Sequence, residues 1–229
     1  ATGAFQVILW TAYLQALQQE ETSRIAALVY VYPVFVFLGA LVFLGESLQA
    51  DDYAGGALLV CGAVLISYRP GRQASGCISP VLKHMAVFWF FSAAHALASK
   101  YLLGFMNEWH LIFWSSVGCL LAILPVLWPK EIRRECTAYF HGGAYLLLAL
   151  FVNEFLDLLG RGAFIFAYGR GSVALVSSLA ALQPFITLIY VILLARFRPG
   201  ILAEGLDRES LAIKAAAFLL IVAGVYLVS

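Results

Sequence analysis

Long apolar stretches alternate with short polar connections along the whole chain, and few polar residues interrupt the stretches. Most of these stretches approach the about 20 residues that an α-helix needs to cross a bilayer. They are continuously apolar, whereas the strands of a membrane barrel alternate apolar and polar residues. The pattern therefore predicts an all-α membrane bundle of eight transmembrane helices, at residues 4–17, 24–44, 53–67, 84–105, 108–127, 143–168, 172–195 and 211–228.

The chain contains a weak copy of itself. Residues 12–17 return as residues 163–168, and in both copies a proline follows at the same distance, Pro33 and Pro184. Proline inside a helix frees a carbonyl, which must then be satisfied by a neighbour or line a cavity. Helix bends are therefore expected at both prolines, and repeated breaks of this kind point to a binding site in membrane transporters.

A second duplication extends the repeat. Residues 53–62 match residues 215–224, so three apolar segments occur twice, while two further segments within residues 80–129 precede only the second copy. The pattern predicts five-helix repeats, with a partial first repeat at residues 1–68 and a complete second repeat at residues 80–229. An odd number of helices inserts the two copies in opposite orientations, and such inverted repeats recur in secondary transporters.

Composition supports a membrane location and excludes several classes of function. Apolar residues make up 63% of the chain and charged residues 12%, against about a quarter charged in soluble domains. The net charge of +1 provides no basic face for nucleic acid. The cysteines lack paired spacing, so neither a metal site nor a disulfide framework is predicted. The expected surroundings are a lipid bilayer.

Basic residues are concentrated on one predicted side of the membrane. We call side A the side at which the first, third, fifth and seventh predicted helices end, and side B the opposite side. Side B holds only Lys100 and Arg170, and Arg161 lies within a span. The positive-inside rule predicts that side A is cytoplasmic and that the carboxy terminus lies outside. The basic residues of side A are Arg24, Arg69, Arg72, Lys83, Lys130, Arg133, Arg134, Arg196, Arg198, Arg208 and Lys214.

The run PVFVFLGALVFLGE from Pro33 to Glu46, followed by the glycine-rich run from Gly55 to Gly62, resembles the EamA family of the drug/metabolite transporter superfamily. So does its counterpart, residues 181–227. The resemblance implies a ten-helix bundle of two inverted five-helix repeats in the inner (plasma) membrane. It also implies that a small-molecule substrate occupies a central cavity and is moved by alternating access.

The sequence departs from the family pattern in three ways. Residues 195–197 read Ala-Arg-Phe where residues 44–46 read Leu-Gly-Glu, so the motif is degenerate in the second repeat. The first two helices of the family pattern are expected to be missing. Family members are expected to have both termini in the cytoplasm, which is the reverse of the orientation that the charge count predicts.

Four polar residues stand in the predicted helix 143–168, at a depth where ionisable side chains are costly and mark function. They are Asn153, Glu154, Asp157 and Arg161. The last three are spaced three and four residues apart, so they project from one helix face. Two carboxylates against one guanidinium leave a negative charge, which suits proton coupling or a cationic substrate. The alternative is a neutral Asp157–Arg161 pair that fixes packing, with Glu154 protonated.

Other polar residues are weaker candidates. His95 lies mid-helix among small residues, where it suits either proton coupling or a packing hydrogen bond. Gln183 and Tyr32 immediately precede the repeated prolines and are expected to bind substrate or to satisfy the bends. Gln15 is a similar candidate with less support. Lys100 stands near a helix end, where its side chain can snorkel to the interface.

These observations predict a transporter of small polar metabolites, such as amino-acid-like compounds, with export favoured over uptake. No nucleophile with a base, no metalloprotease motif and no phosphate-binding loop is present, so we expect no enzyme activity, no cofactor and no metal. Two alternatives stay open: an intramembrane enzyme acting on a lipid-linked substrate, and a non-transporting membrane scaffold. A homodimer also stays open.

Overall fold

The computed structural model describes most of the chain up to residue 180 and isolated positions beyond it. The described residues lie in helices, turns and short connections, with no β-strand among them. The predicted all-helical class is thus confirmed for this part of the chain. The described residues are 2–19, 25, 28–29, 31–45, 49–67, 80–180, 183, 186, 216, 219–220, 223–224 and 226–227.

Eight helices can be followed among these residues. They are α1 Thr2–Leu17, α2 Tyr32–Gly39, α3 Ala50–Ser67, α4 Pro80–Leu102, α5 Glu108–Ile123, α6 Lys130–Phe140, α7 Ala144–Arg170 and α8 Val173–Ala180. A π-helix, Ala40–Leu44, continues α2, and a 3₁₀-helix, Leu124–Leu127, continues α5. The predicted helices 172–195 and 211–228 lie largely outside the described residues.

Two helices of the described region are long and apolar enough to cross a membrane. They are Val81–Leu102 with 22 residues and Glu108–Leu127 with 20 residues. A third span results if α6 and α7 are taken together, although they are bent by 106°. The membrane class is therefore supported, while the arrangement of eight helices in inverted repeats stays a prediction.

Small residues bring α1 against α5. A Cβ atom on Gly3 would overlap the α5 backbone at Ser115 and Cys119, and Thr2 Oγ1 lies 2.7 Å from Ser115 Oγ in a buried hydrogen bond. Close backbone approach through small residues is how helices pack in lipid, where no hydrophobic effect drives them together. On its other side, α1 packs against α4 in the core cluster Ala12, Ala16, Ile25, Val81, Met85 and Phe88.

The predicted helix 24–44 is interrupted. Val31 lies in a turn, and α2 begins immediately after it with Pro33 in its first helical turn. Proline is favoured there because the first N–H groups of a helix have no intrahelical partner. Pro33 therefore starts a helix, where the sequence predicted one continuous bent helix. Its counterpart Pro184 lies outside the described residues.

Gly45 ends the π-helix that follows α2. Its φ of +63° lies in the left-handed region, and its N–H donates to the carbonyl of Ala40. Glycine adopts this conformation without steric cost. Gly45, the central residue of the Leu-Gly-Glu motif in the first repeat, thus ends the helix.

A second core cluster joins α2, α4, α7 and α8. Its residues are Val36, Ala40, Ala93, Ala96, Tyr168, Val173 and Val176.

Candidate functional site

A cavity of about 240 Å³ lies where α1, α2, α4, α5 and α7 meet. Gln183, beyond the last residue of α8, also lines it. Five helices and a further helical residue line the space, so its lining combines side chains that are far apart in the sequence. This is the position expected for a ligand site inside a helix bundle.

Arg161 and His95 are the side chains among the described lining residues that can carry a positive charge. No carboxylate is found among those lining residues. Neutral polar groups come from α1, α4 and α5, where Gln6, Ser92 and Ser115 reach the cavity. The cavity therefore offers a fixed cation, an imidazole and several hydrogen-bonding groups.

An ion pair on α7 holds the Arg161 side chain. Arg161 Nε lies 2.8 Å from Asp157 Oδ2, one helical turn earlier, although the Nε–H group is not aligned to donate to that oxygen. The Arg161 side chain is 27% exposed and the Asp157 side chain 36% exposed. Asp157 is not a lining residue. The pair thus presents the guanidinium to the cavity and keeps the carboxylate behind it.

Aromatic side chains form much of the remaining wall. Trp10, Tyr32, Phe88, Phe164 and Tyr168 line the cavity from four helices. The Phe164 and Tyr168 ring centroids are 6.2 Å apart with a tilt of 43° between the rings, a separation within the favourable range for aromatic pairs. Such a wall binds apolar or aromatic groups and leaves the polar contacts to a few side chains.

The structure brings together four of the residues singled out in the sequence. Arg161, His95, Tyr32 and Gln183 all line the cavity, although they come from separate parts of the chain. His95, Tyr32 and Gln183 lie outside α7, so their proximity to Arg161 could not be inferred from spacing within one helix.

The structure places the remaining candidates outside the cavity lining. Asn153 and Glu154 are exposed on α7, and Gln15 is exposed on α1. Asp157 contacts the site through Arg161. The sequence analysis gave the surplus negative charge of this group as a functional clue, and the described lining includes the guanidinium of Arg161. The proposed exchange of a proton at Glu154 stays a prediction.

Sequence reasoning missed several lining residues. Gln6 is 6% exposed and contributes an amide to the cavity, as Ser92 and Ser115 contribute hydroxyls. A buried amide within an apolar run is a usable signal for Gln6. Serine gives a weak signal because it also occurs as a small packing residue in membrane helices.

The amino-terminal part of the chain is similar to a family of transporters. Residues 1–68 match the family described as EamA-like transporters. A curated relative from Sinorhizobium sp., described as an uncharacterized transporter in the cobO 3' region, is 36% identical over 67 residues. The match covers 29% of this chain, which spans only 45% of that relative.

A solved structure described only as a protein crystal structure has a similar fold. It superposes with a TM-score of 0.62 and covers 99% of this chain and 80% of that chain, at 16% sequence identity. At this identity the similarity shows the fold alone.

Proposed function

Because residues 1–68 of this chain match the EamA-like transporter family, which the sequence resembles, we propose that the protein carries small polar metabolites across the inner membrane. Amino-acid-like compounds are the proposed cargo, and export by alternating access is the proposed mode. The observation that carries this proposal is the cavity between α1, α2, α4, α5 and α7. Its walls combine aromatic surface with a few polar groups, as ligand sites do.

The internal duplication gives the cavity further support. The offset that aligns Pro33 with Pro184 also aligns Tyr32 with Gln183, and both of these residues line the cavity. The same offset aligns Trp10 with Arg161, which again both line it. Equivalent positions of the two copies thus face one space. Transporters built from inverted repeats place their substrate at such a repeat interface.

The proposed bundle is multi-pass, with eight helices in two inverted repeats. Alternating access would then rock the two repeats about the cavity, so that Trp10 and Arg161 face side A and side B in turn. Tyr32 and Gln183 would follow the same exchange. A scaffold without transport activity has no need of a cavity that carries a guanidinium and other hydrogen-bonding groups, so the presence of one favours transport.

Metabolite profiling of medium and cytosol tests this proposal in cells that express the natural full-length protein. A transported compound is expected to leave wild-type cells unchanged and to be retained by cells expressing Arg161→Gln. If Arg161 binds the compound, this variant loses a hydrogen bond from a charged group to the substrate, and we expect export to fall by about tenfold or more. Membrane levels of both proteins are compared by immunoblotting.

Glu154→Gln separates two views of the site on the same helix. If the cavity at Arg161 is the whole site, this variant exports normally and keeps its pH dependence. If Glu154 exchanges the coupling proton, export or its pH dependence changes. A chemically altered product would instead indicate the intramembrane enzyme. No difference in any compound between wild-type cells and cells lacking the protein would contradict transport and favour the scaffold.

A further inference from the structure

We propose that Arg161 is the substrate-binding residue of this cavity, and that it holds the carboxylate of a small aromatic monocarboxylate. This inference rests on the transport function proposed above and names the class of substrate. It assigns the guanidinium to the carboxylate and the aromatic wall to the body of the molecule.

The donors of Arg161 fit a carboxylate. A guanidinium has five N–H donors in a planar fork, and the 2.8 Å contact with Asp157 is made through Nε. The two terminal nitrogens provide the paired donors that carboxylates accept in bidentate geometry. Because Arg161 lines the cavity while Asp157 does not, a ligand can approach the fork without removing Asp157.

The charge of the site favours a monoanion over a dianion. Arg161 is the permanent cation of the described lining, and Asp157 already neutralises it. One ligand carboxylate would leave one net negative charge, which the hydrogen-bonding groups of His95, Gln6 and Ser115 can moderate. A phosphate dianion would leave two negative charges in a region of low dielectric, where uncompensated charge is costly.

The shape and chemistry of the wall favour a flat apolar body. Five aromatic side chains line the space, which has a volume of about 240 Å³. A single substituted aromatic ring with a short carboxylate arm fits these dimensions. Ring stacking and edge contacts with residues such as Trp10 and Phe164 would orient it.

A site of this kind discriminates strongly between a carboxylate and its amide. The amide has nearly the same shape but leaves Arg161 without its anionic partner, and a hydrogen bond to a charged group is worth about 1.5–3 kcal/mol. Since about 1.4 kcal/mol changes an equilibrium constant tenfold, we expect the acid to bind at least tenfold more tightly than the amide.

The test measures equilibrium binding to the purified full-length protein in lipid nanodiscs at pH 7. The radiolabelled probes are 3-phenylpropionate and its neutral isostere 3-phenylpropionamide. Wild-type protein is expected to prefer the acid at least tenfold, and Arg161→Gln is expected to lose this preference while its affinity for the amide is unchanged. Arg161→Lys is expected to keep part of the preference, because the charge remains without the planar fork.

Arg170→Gln is the matched control. Arg170 stands on the same helix, exposed at its end, where its guanidinium lies 5.6 Å from the centroid of the Phe166 ring. This variant is expected to keep the full preference for the acid. Size-exclusion profiles and circular dichroism verify that each variant is folded.

Several results would overturn the inference. They are equal binding of acid and amide by the wild type, a preserved preference in Arg161→Gln, or no binding of the acid to folded wild-type protein. Because binding is measured without transport, the two proposals fail separately. Export of a compound together with equal binding of both probes refutes only this inference, whereas acid-selective binding without any export refutes only transport.

Discussion

Gly3 shows how little space separates two helices of the cavity wall. A Cβ atom at this position would overlap backbone atoms of α5 at Ser115, Gly118 and Cys119. Backbone cannot rotate out of the way as a side chain can, so α1 and α5 would have to separate. Since Gln6 on α1 and Ser115 on α5 both line the cavity, this contact also sets the width of the site.

We expect Gly3→Ala to lower the free energy of unfolding by about 1–3 kcal/mol, the usual cost of overpacking. Gly160→Ala is the matched control, because Gly160 lies within α7 and a Cβ there would meet nothing within 4 Å. This control is expected to stabilise by up to about 1 kcal/mol through helix propensity. Thermal unfolding in detergent measures both variants, and equal stability of Gly3→Ala and wild type would contradict the contact.

At the residue scale, spacing along the sequence predicts contacts within one helix but does not show how two helices pack against each other. The spacing of Asp157 and Arg161 correctly indicated a contact, because positions four apart on a helix always share a face. Nothing in that spacing shows whether the face meets a cavity or the outside. Glu154 shares this face of the helix by spacing but is exposed, and spacing along the sequence does not place Gln6 of α1 beside α5.

At the scale of the helices, a lysine side chain from α4 caps the carboxy-terminal end of α7. Lys100 Nζ, from the last turn of α4, donates to the carbonyls of Tyr168 at 2.8 Å and Gly171 at 2.7 Å. The last carbonyls of a helix lack intrahelical partners and carry partial negative charge. Lys100 satisfies two of them, so it fixes the end of α7 beside α4 and, with it, the cavity residue Tyr168.

We expect Lys100→Met to destabilise the junction of α7 and α8. Removing a charged donor from partly buried carbonyls costs about 1.5–3 kcal/mol, and backbone amides around Val173 and Val176 should exchange hydrogen faster in mass-spectrometric measurements. Lys130→Met, at an exposed lysine of α6, should leave exchange in this junction unchanged. Unchanged exchange in Lys100→Met would show that the cap does not hold the junction.

Five predicted helices agree with described helices to within four residues, the predicted helix 24–44 is interrupted before α2, and one described helix was missed. The prediction 108–127 coincides with α5 and its 3₁₀ continuation, whereas α6, Lys130–Phe140, was assigned to a loop. A search for apolar runs does not detect α6, because its sequence contains many charged residues. The sharp bend before α7 is made at Gly143, whose φ of +98° is rarely open to other residues.

At the scale of the whole molecule, the described structure groups the charges by side. Lys100 and Arg170 of side B are both engaged: Lys100 caps α7, and Arg170 donates to the carbonyl of Phe166 at 3.4 Å. On side A, Lys130, Arg133 and Arg134 are exposed along α6. These three exposed basic residues of α6 lie on the predicted side A, which the positive-inside rule places in the cytoplasm.

Cysteine labelling in intact cells tests this orientation. Thr137→Cys places a thiol at an exposed position of α6 on side A, and Phe105→Cys places one on side B, where Phe105 is 72% exposed. The background replaces Cys61, Cys77, Cys119 and Cys136 by serine. A membrane-impermeant maleimide is expected to label Phe105→Cys in intact cells and Thr137→Cys only after permeabilisation.

The reverse labelling would place side A outside and the carboxy terminus in the cytoplasm, as the family resemblance implies. The positive-inside rule would then fail for this chain. One circumstance allows such a failure: the rule acts through short loops near the first helices to insert, and early helices usually dominate orientation. Labelling of both thiols in intact cells would contradict either orientation. It would mean that α5 does not place the turn before it and α6 after it on opposite sides of the membrane.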